Sequence, residues 1–100
     1  LATGVHCERL PLARGDHDWN GGIFLFRADA FLAELERQAP AILAAAREAM
    51  AGATQTGART LPDADAFTVS PSDSIDYAVM EGAANVVVVP VKMGWSDVGS

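Results

Sequence analysis

The chain has 100 residues, half of them hydrophobic, and a formal net charge of −6 at pH 7. That length fits one small domain or a part of a larger one, and the apolar half is enough for a core, which excludes a disordered chain. No run of Lys or Arg is dense enough to follow a phosphate backbone, so nucleic acid is not an expected partner, and no apolar run reaches the roughly 18–20 residues of a membrane span.

Residues 1–18, LATGVHCERLPLARGDHD, contain Gly4 and Pro11, which oppose a long helix, so a short broken helix and a turn at Gly15 and Asp16 are expected. Residues 22–26, GIFLF, are apolar and aromatic-rich and read as a buried strand. From Asp29 the period changes: Phe31, Leu32 and Leu35 recur at helical spacing. This helix should end near Ala39, because the residue before Pro40 is pushed out of helical geometry. Pro40 then suits the first turn of a second helix, PAILAAAREAMAG, with Gly52 as its C-cap.

The segment ATQTGARTLPDADA is small and polar, so an exposed connection with one helical turn near Pro62 is expected. SPSDSIDYAVME restarts a helix. Ser70 and Asp73 have the spacing of a capping box, Pro71 would occupy the first helical position, and Gly82 should stop the element. Residues 86–89 are four consecutive valines without alternation, as in a strand covered on both faces. The order of strand, helices and strand is an α/β layout. In open α/β sheets ligands sit outside the carboxyl ends of strands, which draws attention to the loop after Phe26 and to Asp97.

Five stretches carry side chains with possible chemistry. Asp16, His17 and Asp18 are two carboxylates around an imidazole, but sequence neighbours in an extended loop seldom converge on one ion, and a solvated turn is the better reading. His6, Cys7 and Glu8 have no second ligand cluster at zinc-like spacing. In WNGG (19–22), the Asn20 amide offers a donor and an acceptor that suit a sugar hydroxyl, and Gly21 and Gly22 let backbone approach a ligand; an ordinary turn before a strand explains the same residues. In SDSIDYAVME, Asp73 is accounted for by a helix N-terminus, Asp76 and Tyr77 follow one turn later, and a solvated face is the plainer reading. In GWSDVGS, the Asp97 carboxylate is a hard oxygen donor of the kind Mg²⁺ takes, but one carboxylate alone holds that ion weakly.

Taken together and in order, WNGGIFLFRADAFL, SPSDSIDYAVMEGAANVVVVPV and GWSDVGS resemble the middle of the mannose-1-phosphate guanylyltransferase family. The resemblance covers residues 19–100. Residues 1–18 match weakly, with Pro11 where the family has a plain helix, and Gly21 stands where serine is commoner. The resemblance implies a Rossmann-like α/β nucleotidyltransferase domain, a mixed sheet with flanking helices, of which residues 1–100 would be the sugar-side part. It implies transfer of a guanylyl group from GTP to mannose 1-phosphate, with pyrophosphate released and Mg²⁺ as cofactor. By the same resemblance Asp97 binds the metal and counts as the catalytic residue. Asn20, Gly21 and Gly22 line the sugar pocket, and Ser74 and Asp76 lie on the sugar side.

The glycine-rich GTP loop and a further sugar-contacting segment of that family have no counterpart here. The chain also starts at Leu1 without an initiator Met or a basic-then-apolar leader, so it reads as a segment of a larger domain. Cys7, the single cysteine, cannot form an internal disulfide, which fits a reducing cytoplasm. Two other readings stay open at this point: a non-catalytic regulatory or subunit-contact module of the same fold, and a nucleotidyltransferase for another sugar 1-phosphate. A homo-oligomer is also left open.

Overall fold

A computed structural model describes residues 20–92 and residue 94. Two helices form its centre: α1, Ala28–Gln38, and α2, Pro40–Ala51. No side chain caps the start of α1. Instead Phe26, the residue before the N-cap, stacks on Phe31 with ring centroids 4.4 Å apart and 15° between planes. This is a hydrophobic staple across the first turn, and it fixes the direction in which the chain enters the helix.

A single residue, Ala39, separates the two helices. With φ −139° and ψ 63° it lies outside the helical region, which Pro40 disfavours for its predecessor. Its N–H closes α1 on the Leu35 carbonyl at 2.8 Å, and its carbonyl accepts the Ile42 and Leu43 N–H groups that open α2. One residue thus satisfies backbone groups of both helices. Gly52 ends α2 as the sequence predicts, but its φ is −89°, so no left-handed turn requires glycine there. The need is steric: a Cβ on Gly52 would stand 3.0 Å from the Asp63 Cβ.

Residues 53–66 depart from the expected plain connection. They hold the one sheet among the described residues, an antiparallel hairpin of β1, Thr54–Thr56, and β2, Arg59–Leu61, with Gln55 opposite Thr60. Gly57 opens the two-residue turn at φ +61°, which a side chain would strain. The helical turn expected near Pro62 is α3, Ala64–Thr68, N-capped by Asp63, whose carboxylate accepts the Ala66 N–H at 2.8 Å. The Asp63 N–H donates to the Ala49 carbonyl at 2.8 Å and ties this return to α2.

The last helix begins later than predicted. Ser70 caps nothing, its hydroxyl lying 3.2 Å from the Pro71 carbonyl, and Asp73 stands before the helix rather than in its first turn. A five-residue π-helical turn, Asp76–Met80, takes its place. The Ser74 hydroxyl accepts the Tyr77 N–H at 3.4 Å, and the Glu81 N–H reaches back five residues to the Asp76 carbonyl at 2.9 Å. Leu35, Leu43, Ala78 and Val79 form the buried core, with Phe31, Ala39, Ile42 and Met80 packed against it.

Two predicted strands do not form. Residues 22–26 and 86–89 lack strand pairing among the described residues, and Leu25 is 100% and Val87 81% exposed. A strand satisfies its backbone only across a ladder, and nothing in residues 20–92 lies alongside either segment as a third strand. The result is a small domain of mixed helix and strand with a two-stranded sheet, compatible with an α/β class. The expected broken helix in residues 1–18 lies outside the described residues.

Candidate functional site

Two of the three motif stretches meet in space. The Asn20 side-chain amide donates from Nδ2 to Asp76 Oδ1 at 2.8 Å, across 56 residues of sequence. The Asn20 Oδ1 accepts the Gly22 N–H at 2.9 Å, closing an Asx turn. Gly22 has φ +67°, so the turn needs glycine at this position, and nothing lies within 4 Å of where its Cβ would be. Asn20, Gly21 and Asp76 are half-buried, which leaves one side of the pair open to solvent.

Asp76 is placed by the π-helical turn it opens. The far end of that turn is fastened to α1. Gln38 Nε2 donates to the Val79 carbonyl at 2.9 Å and to Glu34 Oε2 at 2.8 Å. Arg37 Nη2 donates to the Gly82 carbonyl at 3.0 Å and to Glu34 Oε2 at 2.7 Å. These bonds, chiefly that from Arg37, hold the Glu34 carboxyl below its usual range and raise Arg37. A Cβ on Gly82 would overlap the Gln38 amide, so glycine is what lets this clamp close. No sequence signal marks the clamp, because Glu34, Arg37 and Gln38 look like an ordinary solvated helix face.

Of the other predicted site residues, Ser74 lies two positions before Asp76 and is exposed, with its hydroxyl turned toward the Tyr77 N–H and its own N–H donating to Asp73 at 2.8 Å. Tyr77 is exposed. Asp97 lies outside the described residues, as do Asp16, His17, Asp18, His6, Cys7 and Glu8. Among the described residues no group of His, Cys, Asp and Glu is placed to hold a metal ion, and no helix is long and apolar enough to cross a membrane. A separate open groove between α2 and residues 67–73 is lined by Ile42, Ala46, Phe67, Pro71 and Asp73 among others, and it includes none of Asn20, Gly21, Gly22, Ser74 and Asp76.

Comparison with known proteins bears out the resemblance carried by the three motifs. The chain is 54% identical over 89 residues to the xanthan biosynthesis protein XanB of Xanthomonas campestris pv. campestris (strain B100), covering 89% of this chain and 19% of that protein. It is 47% identical over 97 residues to the mannose-1-phosphate guanylyltransferase ManC of Salmonella typhimurium, covering 97% of this chain and 20% of that protein. It is also 47% identical over 89 residues to the mannose-1-phosphate guanylyltransferase of Escherichia coli K12, covering 89% of this chain and 19% of that protein. No family model and no solved structure matches the chain.

Proposed function

We infer from these matches, in which the chain spans about a fifth of the length of the curated relatives, that it is a segment of a mannose-1-phosphate guanylyltransferase. We propose that it is the sugar-side part of a Rossmann-like nucleotidyltransferase domain in an enzyme making GDP-mannose from GTP and mannose 1-phosphate. The observation that carries this reading is the Asn20–Asp76 hydrogen bond, which joins the first two family-like stretches at one point. The name of the Xanthomonas relative extends the proposal to the supply of an activated sugar for polysaccharide synthesis. A reaction consuming GTP fits a cytoplasmic setting.

In the proposed reaction a phosphate oxygen of mannose 1-phosphate attacks the α-phosphorus of GTP. The new P–O bond forms as the bond to the β-phosphate breaks, and pyrophosphate leaves. Such transfer needs position and charge neutralisation more than covalent help from the protein. Asn20 would bind a sugar hydroxyl, Gly21 and Gly22 would let backbone close on the ring, and Ser74 and Asp76 would lie on the same sugar side. Asp97, a hard carboxylate donor, would hold Mg²⁺ with oxygen ligands from elsewhere in the protein. The metal, when bound, neutralises phosphate charge.

The test is steady-state kinetics of the full-length protein with each substrate varied. Asn20→Ala should raise the KM for mannose 1-phosphate up to about tenfold and leave that for GTP near its wild-type value, since a lost hydrogen bond is worth about 0.5–1.5 kcal/mol. A defect confined to GTP would remove Asn20 from the sugar pocket. For Asp97→Asn, Mg²⁺ demand should rise and turnover fall in a protein that still melts normally. Wild-type Mg²⁺ dependence would make Asp97 a turn residue. The 100 residues alone should form no GDP-mannose.

A further inference from the structure

We infer that Asp76 is a positioning residue: it sets which face of the Asn20 amide meets the sugar, and it acts through Asn20 rather than on the substrate. The inference rests on the proposed sugar role of Asn20 and assigns Asp76 a different task from its neighbour. An asparagine amide has two chemically opposite ends on one planar group, and rotation by half a turn about its last bond exchanges donor and acceptor. A pocket that reads a hydroxyl through such a group needs that rotation fixed.

The two bonds of Asn20 to described residues fix it. An ionised carboxylate can only accept, so the end of the amide facing Asp76 Oδ1 at 2.8 Å must be Nδ2. A backbone N–H can only donate, so the end facing Gly22 at 2.9 Å must be Oδ1. The flipped amide would put oxygen against carboxylate and N–H against N–H, and both contacts would be lost. The two clamps are of different origin. Gly22 belongs to the same turn as Asn20, whereas Asp76 arrives on the π-helical turn whose other end is bonded to Gln38 and Arg37 of α1. The amide is therefore referenced to the helical core and not merely to its own loop. π-Helical turns cluster at functional sites, and here the wide turn delivers the Asp76 carboxylate to Asn20.

A double-mutant cycle in the full-length protein tests this. Asn20→Ala and Asp76→Ala should each raise the KM for mannose 1-phosphate about tenfold with kcat and the GTP KM little changed, and the double variant should stay at about tenfold. Asp76→Asn should return to within about threefold of wild type, because its amide oxygen can still accept from Nδ2. A purely structural role would lower the melting temperature and disturb both substrates alike. If the double variant instead reaches about a hundredfold, the effects add and Asp76 touches the sugar itself, which overturns the inference while leaving Asn20 in the pocket. An unchanged sugar KM in Asp76→Ala also overturns it. Failure of the underlying reading looks different: Asn20→Ala leaves mannose 1-phosphate use untouched, or the wild-type protein makes no GDP-mannose, and then both claims fall.

Discussion

Leu43 in α2 is 3% exposed and Val87 is 81% exposed, although leucine and valine are equally at home in a core. The difference lies in how far each must reach for a partner. Leu43 meets Leu35 eight residues away through a joint that the local sequence dictates, and α1 and α2 complete each other's backbone at Ala39. The valine run needs strands on either side, and the described part of the chain supplies none. Helical apolar faces are closed by near neighbours, whereas sheet apolar faces are closed by distant ones.

The largest effect should fall on the locally closed side. Leu43→Ala should destabilise the folded chain by about 2–4 kcal/mol, read by urea unfolding, because it empties the contact between α1, α2 and the π-helical turn. A cost below that of an exposed substitution would mean that the four-residue core does not hold the helices together. Next comes Gly82→Ala, expected at about 1–2 kcal/mol, since the new methyl displaces the Gln38 amide from the Val79 carbonyl. Repeating it in a Gln38→Ala background should abolish most of the difference. If it does not, the glycine serves backbone geometry instead of the clamp.

A smaller effect should follow pH. Glu34 has a lowered folded pKa, so its contribution is present above its unfolded value of about 4.5 and is lost as pH falls through the folded one. The pair with Arg37 is exposed enough to be screened, so the acid limb should be shallow and fade with salt. Glu34→Gln should flatten it, and an acid limb unchanged by that substitution would place the titration elsewhere. Smallest of all is Val87→Ala, expected within about 0.5 kcal/mol in the isolated chain. The same substitution in the full-length protein should cost about 1 kcal/mol or more if the valine run becomes the covered strand its pattern predicts. Equal, negligible effects in both would leave it exposed in the whole protein too.

The legible parts of the sequence were those with local causes. The Phe31–Leu35 spacing, Pro40 at the start of α2 and the stop at Gly52 all yielded the right elements, since each acts within one or two turns. The hairpin carried a usable signal in Thr-rich runs around Gly57 and Ala58, which polarity concealed. The helix at 70–81 failed at its start because Ser70 and Asp73 do not cap it, and the turn begins only at Asp76. The meeting of Asn20 with Asp76 was not legible from spacing: both residues could be singled out, but the bond spans 56 positions and depends on where α1 holds the π-helical turn.

The single-residue joint at Ala39 also sets what lengths the chain can adopt. A residue inserted there would separate the closure of α1 on the Leu35 carbonyl from the Ile42 and Leu43 N–H groups that open α2, and would shift Leu43 relative to Leu35. Deleting it would drive Pro40 into the last turn of α1. The tip of the hairpin at Gly57 and Ala58, exposed on both sides, has no such constraint. Length variation in relatives of this segment should therefore collect at the hairpin tip and be missing between the two helices, and an engineered loop or tag inserted at residues 57–58 should leave the helical pair folded.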